Sequence, residues 1–240
     1  MEISNYETAA SKTSFSAGKL QRRHFLKFTG AIVLTTGALS CKKNESSSSG
    51  KPQINDGSTI DFKDDTGIFN YIYVLEQLEA AFYVKVSAAY PTAFTATQTS
   101  FFNDISLHEI AHREFLKDFL VEAGIGNLDF DFSSIDFTNA TAVLTAAKTF
   151  EDLGVAAYNG VLAKAQQSFT LTILSQIASV EARHAAWIRG QVITNDFADL
   201  NALSVLGAVD ANGLDAALTP DKVLPQLTKY IKTQLKVINL

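Results

Sequence analysis

Glu109-Ile110-Ala111-His112 and Glu181-Ala182-Arg183-His184 are the stretches on which the reading of this chain turns. Each sets a carboxylate and an imidazole three residues apart, one above the other on a single helix face. Both side chains of a pair can then reach one inward-facing metal ion. The chain has only four histidines, His24, His108, His112 and His184, and ten glutamates among 240 residues. At that density a Glu falls three residues before a given His by chance about 4% of the time. Two such pairs among four histidines point to a built site.

Two lone glutamates extend the pattern. Glu76 precedes Glu151 by 75 residues and Glu109 precedes Glu181 by 72, so the order Glu, Glu-x-x-His occurs twice. That spacing is an internal repeat, one supersecondary unit used two times. The flanks agree, because Tyr83 follows Glu76 and Tyr158 follows Glu151 by seven residues, about two helical turns.

Apolar residues at helical spacing predict four helices, over roughly 66–89, 97–123, 139–167 and 170–193, each carrying one set of these residues. Tyr90-Pro91-Thr92 separates the first from the second, since proline disfavours helical geometry in the residue before it. Gly124 and Gly126 stop the second, and Ser168-Phe169-Thr170 divides the third from the fourth. The segment 124–138 alternates apolar and acidic residues and is long enough to cross the length of a bundle. The expected fold is all-α: a four-helix bundle of two helix hairpins joined by a long crossover.

In such a bundle Glu76, Glu109, His112, Glu151, Glu181 and His184 converge on the axis. Four buried carboxylates without a cation would be very costly. Two divalent ions, bridged by two of the carboxylates and with one His on each, would neutralise them. Carboxylate and imidazole without thiolate suit iron or manganese, with zinc also accommodated. Glu76 is taken as the first-helix ligand because its offset to Tyr83 mirrors that of Glu151 to Tyr158. Glu79 faces nearly the same way, and it either supports the ligands from behind or takes the place of Glu76. Tyr83 and Tyr158 are either core aromatics whose hydroxyls find a carboxylate or donors that orient the bridging glutamates. His108 reads as a partly exposed surface His, Glu114 and Glu122 as solvated, and Trp187 as packing. No residue is assigned a catalytic role.

The flanking regions read differently. Residues 1–40 have the form of a targeting segment: a polar start, Arg22-Arg23, then the apolar run from Phe28 to Leu39, too short to span a membrane. Gln21 to Lys27 resembles a twin-arginine export signal, and Ala38-Leu39-Ser40-Cys41 resembles a lipoprotein cleavage box with Cys41 as the acylated residue. As the one cysteine, Cys41 has no partner for an intramolecular disulfide. Residues 41–65, with the run Ser46-Ser47-Ser48-Ser49-Gly50, have the composition of a flexible tether. The expected organisation is signal peptide 1–40, tether 41–65, bundle 66–193 and a carboxy-terminal extension 194–240 packed on the bundle. That extension includes a short amphipathic helix with Pro220 or Pro225 in its first turn and Leu227, Tyr230, Ile231 and Leu235 along one face. Location in the cell envelope, in the periplasm or anchored to a membrane through Cys41, follows as an expectation. An apolar content of 47% with 10% aromatics supports a sizeable core. Without residues 1–40 the chain carries 15 Lys and Arg against 23 Asp and Glu, a net charge of −8, so nucleic acid is an improbable partner.

The duplicated ligand pattern resembles the ferritin-like superfamily of di-metal carboxylate proteins, in which two helices each give a Glu and two each give Glu-x-x-His. Within it, the stretch from Asn70 to Tyr83 and Val180-Glu181-Ala182-Arg183-His184 are similar to exported ferritin-like proteins grouped with plant desiccation-related proteins. The resemblance covers roughly 66–193. It implies a di-iron or di-manganese centre, and chemistry of the kind seen across the superfamily: oxidising ferrous iron, reducing or disproportionating peroxide, or activating oxygen. A small oxidant or a metal ion would be the substrate, as for a ferroxidase or peroxidase. The alternative is a metal-free or structurally metallated scaffold with a stress-protective or binding role at the cell envelope.

Overall fold

The computed structural model describes residues 59–193, 196–198 and 214–240. The export-type segment, Cys41 and most of the tether lie outside the described residues. Four long helices carry the fold: α1 (Asp65–Ala88), α2 (Ala96–Leu120), α3 (Ala140–Leu162) and α4 (Ser168–Val192). A short helix, α5 (Pro220–Leu227), follows near the carboxy terminus. α1 packs chiefly on α2, and α3 on α4, so the chain forms two hairpins laid side by side. No helix among the described residues is long and apolar enough to cross a membrane.

Local chemistry sets where these helices begin. Asp64 caps α1 by accepting from the Thr66 amide, and Asn139 caps α3 by accepting from Thr141 and Ala142. Thr95 and Gln98 form a reciprocal capping box at the start of α2. α4 has no side-chain cap of its own. Instead the buried Asp65 of α1 reaches across, its two carboxylate oxygens accepting from the Gln166 and Gln167 amides at 2.8 and 3.0 Å. The second hairpin's turn is thereby fixed to the start of the first.

The crossover from Gly124 to Asn139 holds no helix, as the sequence leads one to expect. Its backbone is satisfied by two α1 side chains seven residues apart. Asn70 donates to the Ala123 carbonyl at 2.9 Å and accepts from the Ile125 amide at 2.6 Å; Gln77 accepts from the Leu128 amide at 2.9 Å. Asn70→Ala is expected to lower stability by about 1–3 kcal/mol, because it strands a buried amide. Denaturant unfolding of the variant checks this, and an unchanged midpoint would contradict the role.

Two features differ from the expectation. The tether assigned to 41–65 reaches too far, since Thr59–Asp61 forms a strand, β1, paired in parallel with β2 (Lys236–Ile238). Ile60 is fully buried there, an apolar residue between two polar ones that the composition of the tether hides. The carboxy-terminal helix also ends early, at Leu227, so that Tyr230, Ile231 and Leu235 do not lie on it. Backbone pairing explains the break: Asp131 donates to the Tyr230 carbonyl and Lys232 donates to Asp129, both at 2.8 Å. The extension nevertheless packs on the bundle. Val223, Leu227 and Tyr230 are buried, and the Tyr230 ring meets Phe150 edge-on at 4.9 Å. Gly160 on α3 admits the preceding segment, since a Cβ there would stand 1.9 Å from the Leu218 carbonyl oxygen.

Candidate metal centre

Each long helix turns one or two carboxylate or imidazole side chains into the bundle. α1 supplies Glu76 and Glu79, α2 supplies Glu109 and His112, α3 supplies Glu151, and α4 supplies Glu181 and His184. Glu76, Glu109, Glu151 and Glu181 are 0% exposed. His112 Nδ1 lies 2.9 Å from Glu181, 3.4 Å from Glu76 and 3.8 Å from Glu109. His184 Nδ1 lies 2.8 Å from Glu109 and 3.7 Å from both Glu151 and Glu181.

The ligand atoms fall into two overlapping sets. Glu76, Glu109, His112 and Glu181 form one, and Glu109, Glu151, Glu181 and His184 the other, with all atoms of a set within 4.8 Å of one another. Glu109 and Glu181 belong to both. Although the imidazole nitrogens and carboxylates are close, Nδ1 of each His, both oxygens of Glu109 and Glu181, and one oxygen each of Glu76 and Glu151 make no properly directed hydrogen bond. Lone pairs that converge without satisfying one another suit a shared cation. The donor set, carboxylate and imidazole alone, fits two divalent ions.

Without cations the charges adjust by moving protons. Burial pushes the Glu76 carboxyl up to about 8, with Glu181 adding to it. Burial likewise raises Glu79 and Glu151 well above the ordinary range, reinforced at Glu79 by the surrounding carboxylates and opposed at Glu151 by His184. Burial works against charge on His184, yet Glu109 and Glu181 outweigh it and raise the imidazole to about 11. His112 is raised for the same reason, with burial again overcome by Glu109, Glu181 and Glu76. Glu109 is the exception: burial would lift it, but the two imidazoles bring it down to about 2.

Two tyrosines brace the centre by crossing between hairpins. Tyr83 on α1 donates to Glu151 on α3 at 2.5 Å, and Tyr158 on α3 donates to Glu76 on α1. Because each Tyr lies two turns beyond its own Glu and opposite the other, α1 and α3 run in opposite senses. Both rings are fully buried, and burial holds both phenols protonated. Tyr83→Phe and Tyr158→Phe are each expected to weaken cation binding by about 10- to 100-fold, the usual cost of removing a group that orients a ligand. Competition against a chelator measures it; unchanged affinity in both variants would reduce the tyrosines to packing.

Glu79 belongs to neither set. It is 1% exposed, and it occupies space that α3 leaves open: a Cβ on Gly154 would stand 2.8 Å from Glu79 Oε1. Two features were not read from the sequence. His108 has an exposed side chain, as expected, yet its Nδ1 lies 2.9 Å from His184 Nε2. Burial and the neighbouring His184 hold His108 below the ordinary imidazole value, which leaves it free to accept. Its position four residues before His112 was the available signal. Asp152, next to Glu151, is buried and paired with Arg189 at 2.6 Å and Lys148 at 2.9 Å. Of these only the Lys148 to Asp152 spacing of four is legible in sequence. Glu114 is engaged by Arg113 and Lys117 near the surface, Glu122 is exposed, and Trp187 stacks on Phe101.

The family model described as a ferritin-like domain matches residues 64–194, a span that takes in all four long helices and every residue of the centre. No curated protein matches the chain.

Proposed function

The chain belongs to the ferritin-like family, and on that premise we propose that it is an exported, lipid-anchored protein holding a di-iron or di-manganese centre with redox activity toward oxygen, peroxide or ferrous iron. The observation that carries the reading is the sharing of Glu109 and Glu181 between two four-residue ligand sets. Glu109 and Glu181 would bridge two ions, Glu76 with His112 would complete one position, and Glu151 with His184 the other. Bound iron or manganese would supply redox chemistry that these side chains lack.

The remaining work falls to the protein. Tyr83 and Tyr158 hold the end carboxylates of Glu151 and Glu76 in place. The aromatic packing around them, Phe102 against Tyr83 at 5.5 Å and Phe82 against Phe150 at 5.0 Å, keeps water from the carboxylates. Glu79 retains its proton inside the centre, on a carboxyl whose Oε2 has no hydrogen-bonding partner. Export through the twin-arginine-like segment and acylation at Cys41 are part of the same proposal, as is kinship with the desiccation-related group. An exporter that carries folded, metal-loaded proteins would suit such a centre.

Metal analysis of the purified full-length chain, loaded anaerobically, is expected to find about two ions per chain, as a di-metal bundle requires. The loaded protein should then oxidise Fe(II) with oxygen, or consume peroxide, faster than the metal-free control. A protein that binds neither Fe(II) nor Mn(II) when offered them overturns the reading.

A further inference from the structure

We propose that His108 is a positioning residue that fixes the ligating ring of His184 and makes the two metal positions unequal, the Glu151 and His184 position binding its divalent cation more tightly than the Glu76 and His112 position. This rests on the di-metal reading of the centre and goes beyond it.

The argument begins with the two nitrogens of His184. Nδ1 faces Glu109, Glu151 and Glu181, whereas Nε2 lies 2.9 Å from His108 Nδ1. An imidazole that gives its Nδ1 lone pair to a cation carries its proton on Nε2. That proton is donated to His108 Nδ1, and the rings are placed for it, 5.2 Å apart between centroids and inclined by only 21°. His108 then carries its own proton on Nε2, on a side chain open to solvent where water accepts it. A hydrogen bond of this kind selects the tautomer, stops rotation of the ring and makes the ligating nitrogen more basic.

The internal repeat supplies a control within the molecule. His112 and His184 are equivalent in the two halves, so the residue placed to support His112 is the one four before His184. That residue is Val180, which has neither donor nor acceptor in its side chain. No hydrogen bond to His112 Nε2 forms among the described residues. One ligand ring is therefore braced and its counterpart is not. The bracing also spans the seam between α2 and α4, along which Gln98 meets Gln191 and Phe101 stacks on Trp187. Through that seam the centre comes nearest to solvent, since the His112 and His184 side chains are 13% and 6% exposed while the ligand carboxylates are wholly buried.

The test is an anaerobic calorimetric titration of the metal-free, full-length chain with Fe(II). The wild-type protein is expected to take about two ions with separable affinities. His108→Ala should weaken one of them by about 10- to 100-fold and leave the other unchanged. His108→Asn should restore it, because Asn Oδ1 can stand where the imidazole Nδ1 accepts. Repeating His108→Ala in a His112→Ala background should preserve the loss, whereas in a His184→Ala background it should have no further effect. Two ions bound with unchanged affinities in His108→Ala, or both weakened alike, overturns the assignment and leaves the di-metal reading standing. A wild-type chain that takes up no ion overturns the di-metal reading and this inference with it.

Discussion

Replacing Glu109 and Glu181 together by Gln is expected to take the protein from about two bound divalent ions per chain to none. Each carboxylate belongs to both ligand sets, so each substitution removes a ligand and a negative charge from two positions at once. Losing a group that merely supports a ligand costs about 10- to 100-fold in affinity, and losing two shared ligands should exceed that at both positions. Gln has nearly the same volume, so the bundle keeps its packing and the loss is one of charge. Glu76→Gln should act more narrowly and weaken chiefly the His112 position. Glu122→Gln, on an exposed residue, serves as the control and should retain both ions. Metal analysis after loading and desalting reads the result. Retention of two ions by the double variant would mean that Glu109 and Glu181 are not the ligands that hold them.

The metal-free protein is expected to lose stability steeply as pH rises from about 5 to 9, while the metal-bound protein does not. The sign follows from which state holds more protons. Glu76, Glu79 and Glu151 have folded values above the ordinary 4.5, so above that pH the folded chain keeps protons that the unfolded chain has released. His112 and His184 are raised from 6.5, so they add to the same trend above it, and for His184 the loss runs on to about 11. Each excess proton shifts the folding equilibrium toward unfolding by about tenfold per pH unit. Glu109 acts in the opposite direction and elsewhere: its carboxylate, lowered to about 2, stabilises the fold above 4.5, and that contribution is lost as pH falls toward 2. Bound cations displace the excess protons, so their affinity rises with pH and their binding releases acid. Thermal unfolding at pH 5, 7 and 9, with and without Mn(II), measures both curves. A metal-free midpoint that climbs over this range would show that the buried carboxylates are neutralised in another way.

The fold was legible because its signals are local or repeated. Helical spacing, Pro91 and the glycines at 124 and 126 delimit the long helices to within a few residues, although the third helix ends at Leu162, earlier than its apolar pattern suggests. The convergence of Glu76, Glu109, His112, Glu151, Glu181 and His184 could be argued because two copies of one pattern constrain each other. What sequence could not show depends on contacts between distant segments. Nothing in the local pattern says that Ile60 will pair across to Val237, that Asp65 will cap a turn a hundred residues away, or that His108 will meet His184. Such contacts follow from helix packing, and they leave no period in the chain.

The close fit of Glu79 against Gly154 bears on the ancestry of the chain. Positions 79 and 154 are separated by the same 75 residues as Glu76 and Glu151, so they face each other across the pseudo-two-fold axis of the duplication. The opposing residue leaves that space to the Glu79 carboxyl, because a Cβ at position 154 would lie 2.8 Å from Glu79 Oε1 and the carboxyl would have to move. A symmetric pair of first-half hairpins would bring two Glu79 side chains into the same volume, and a pair of second-half hairpins would leave it empty. The halves have diverged at this position, one contributing a carboxyl and the other the space that the carboxyl occupies.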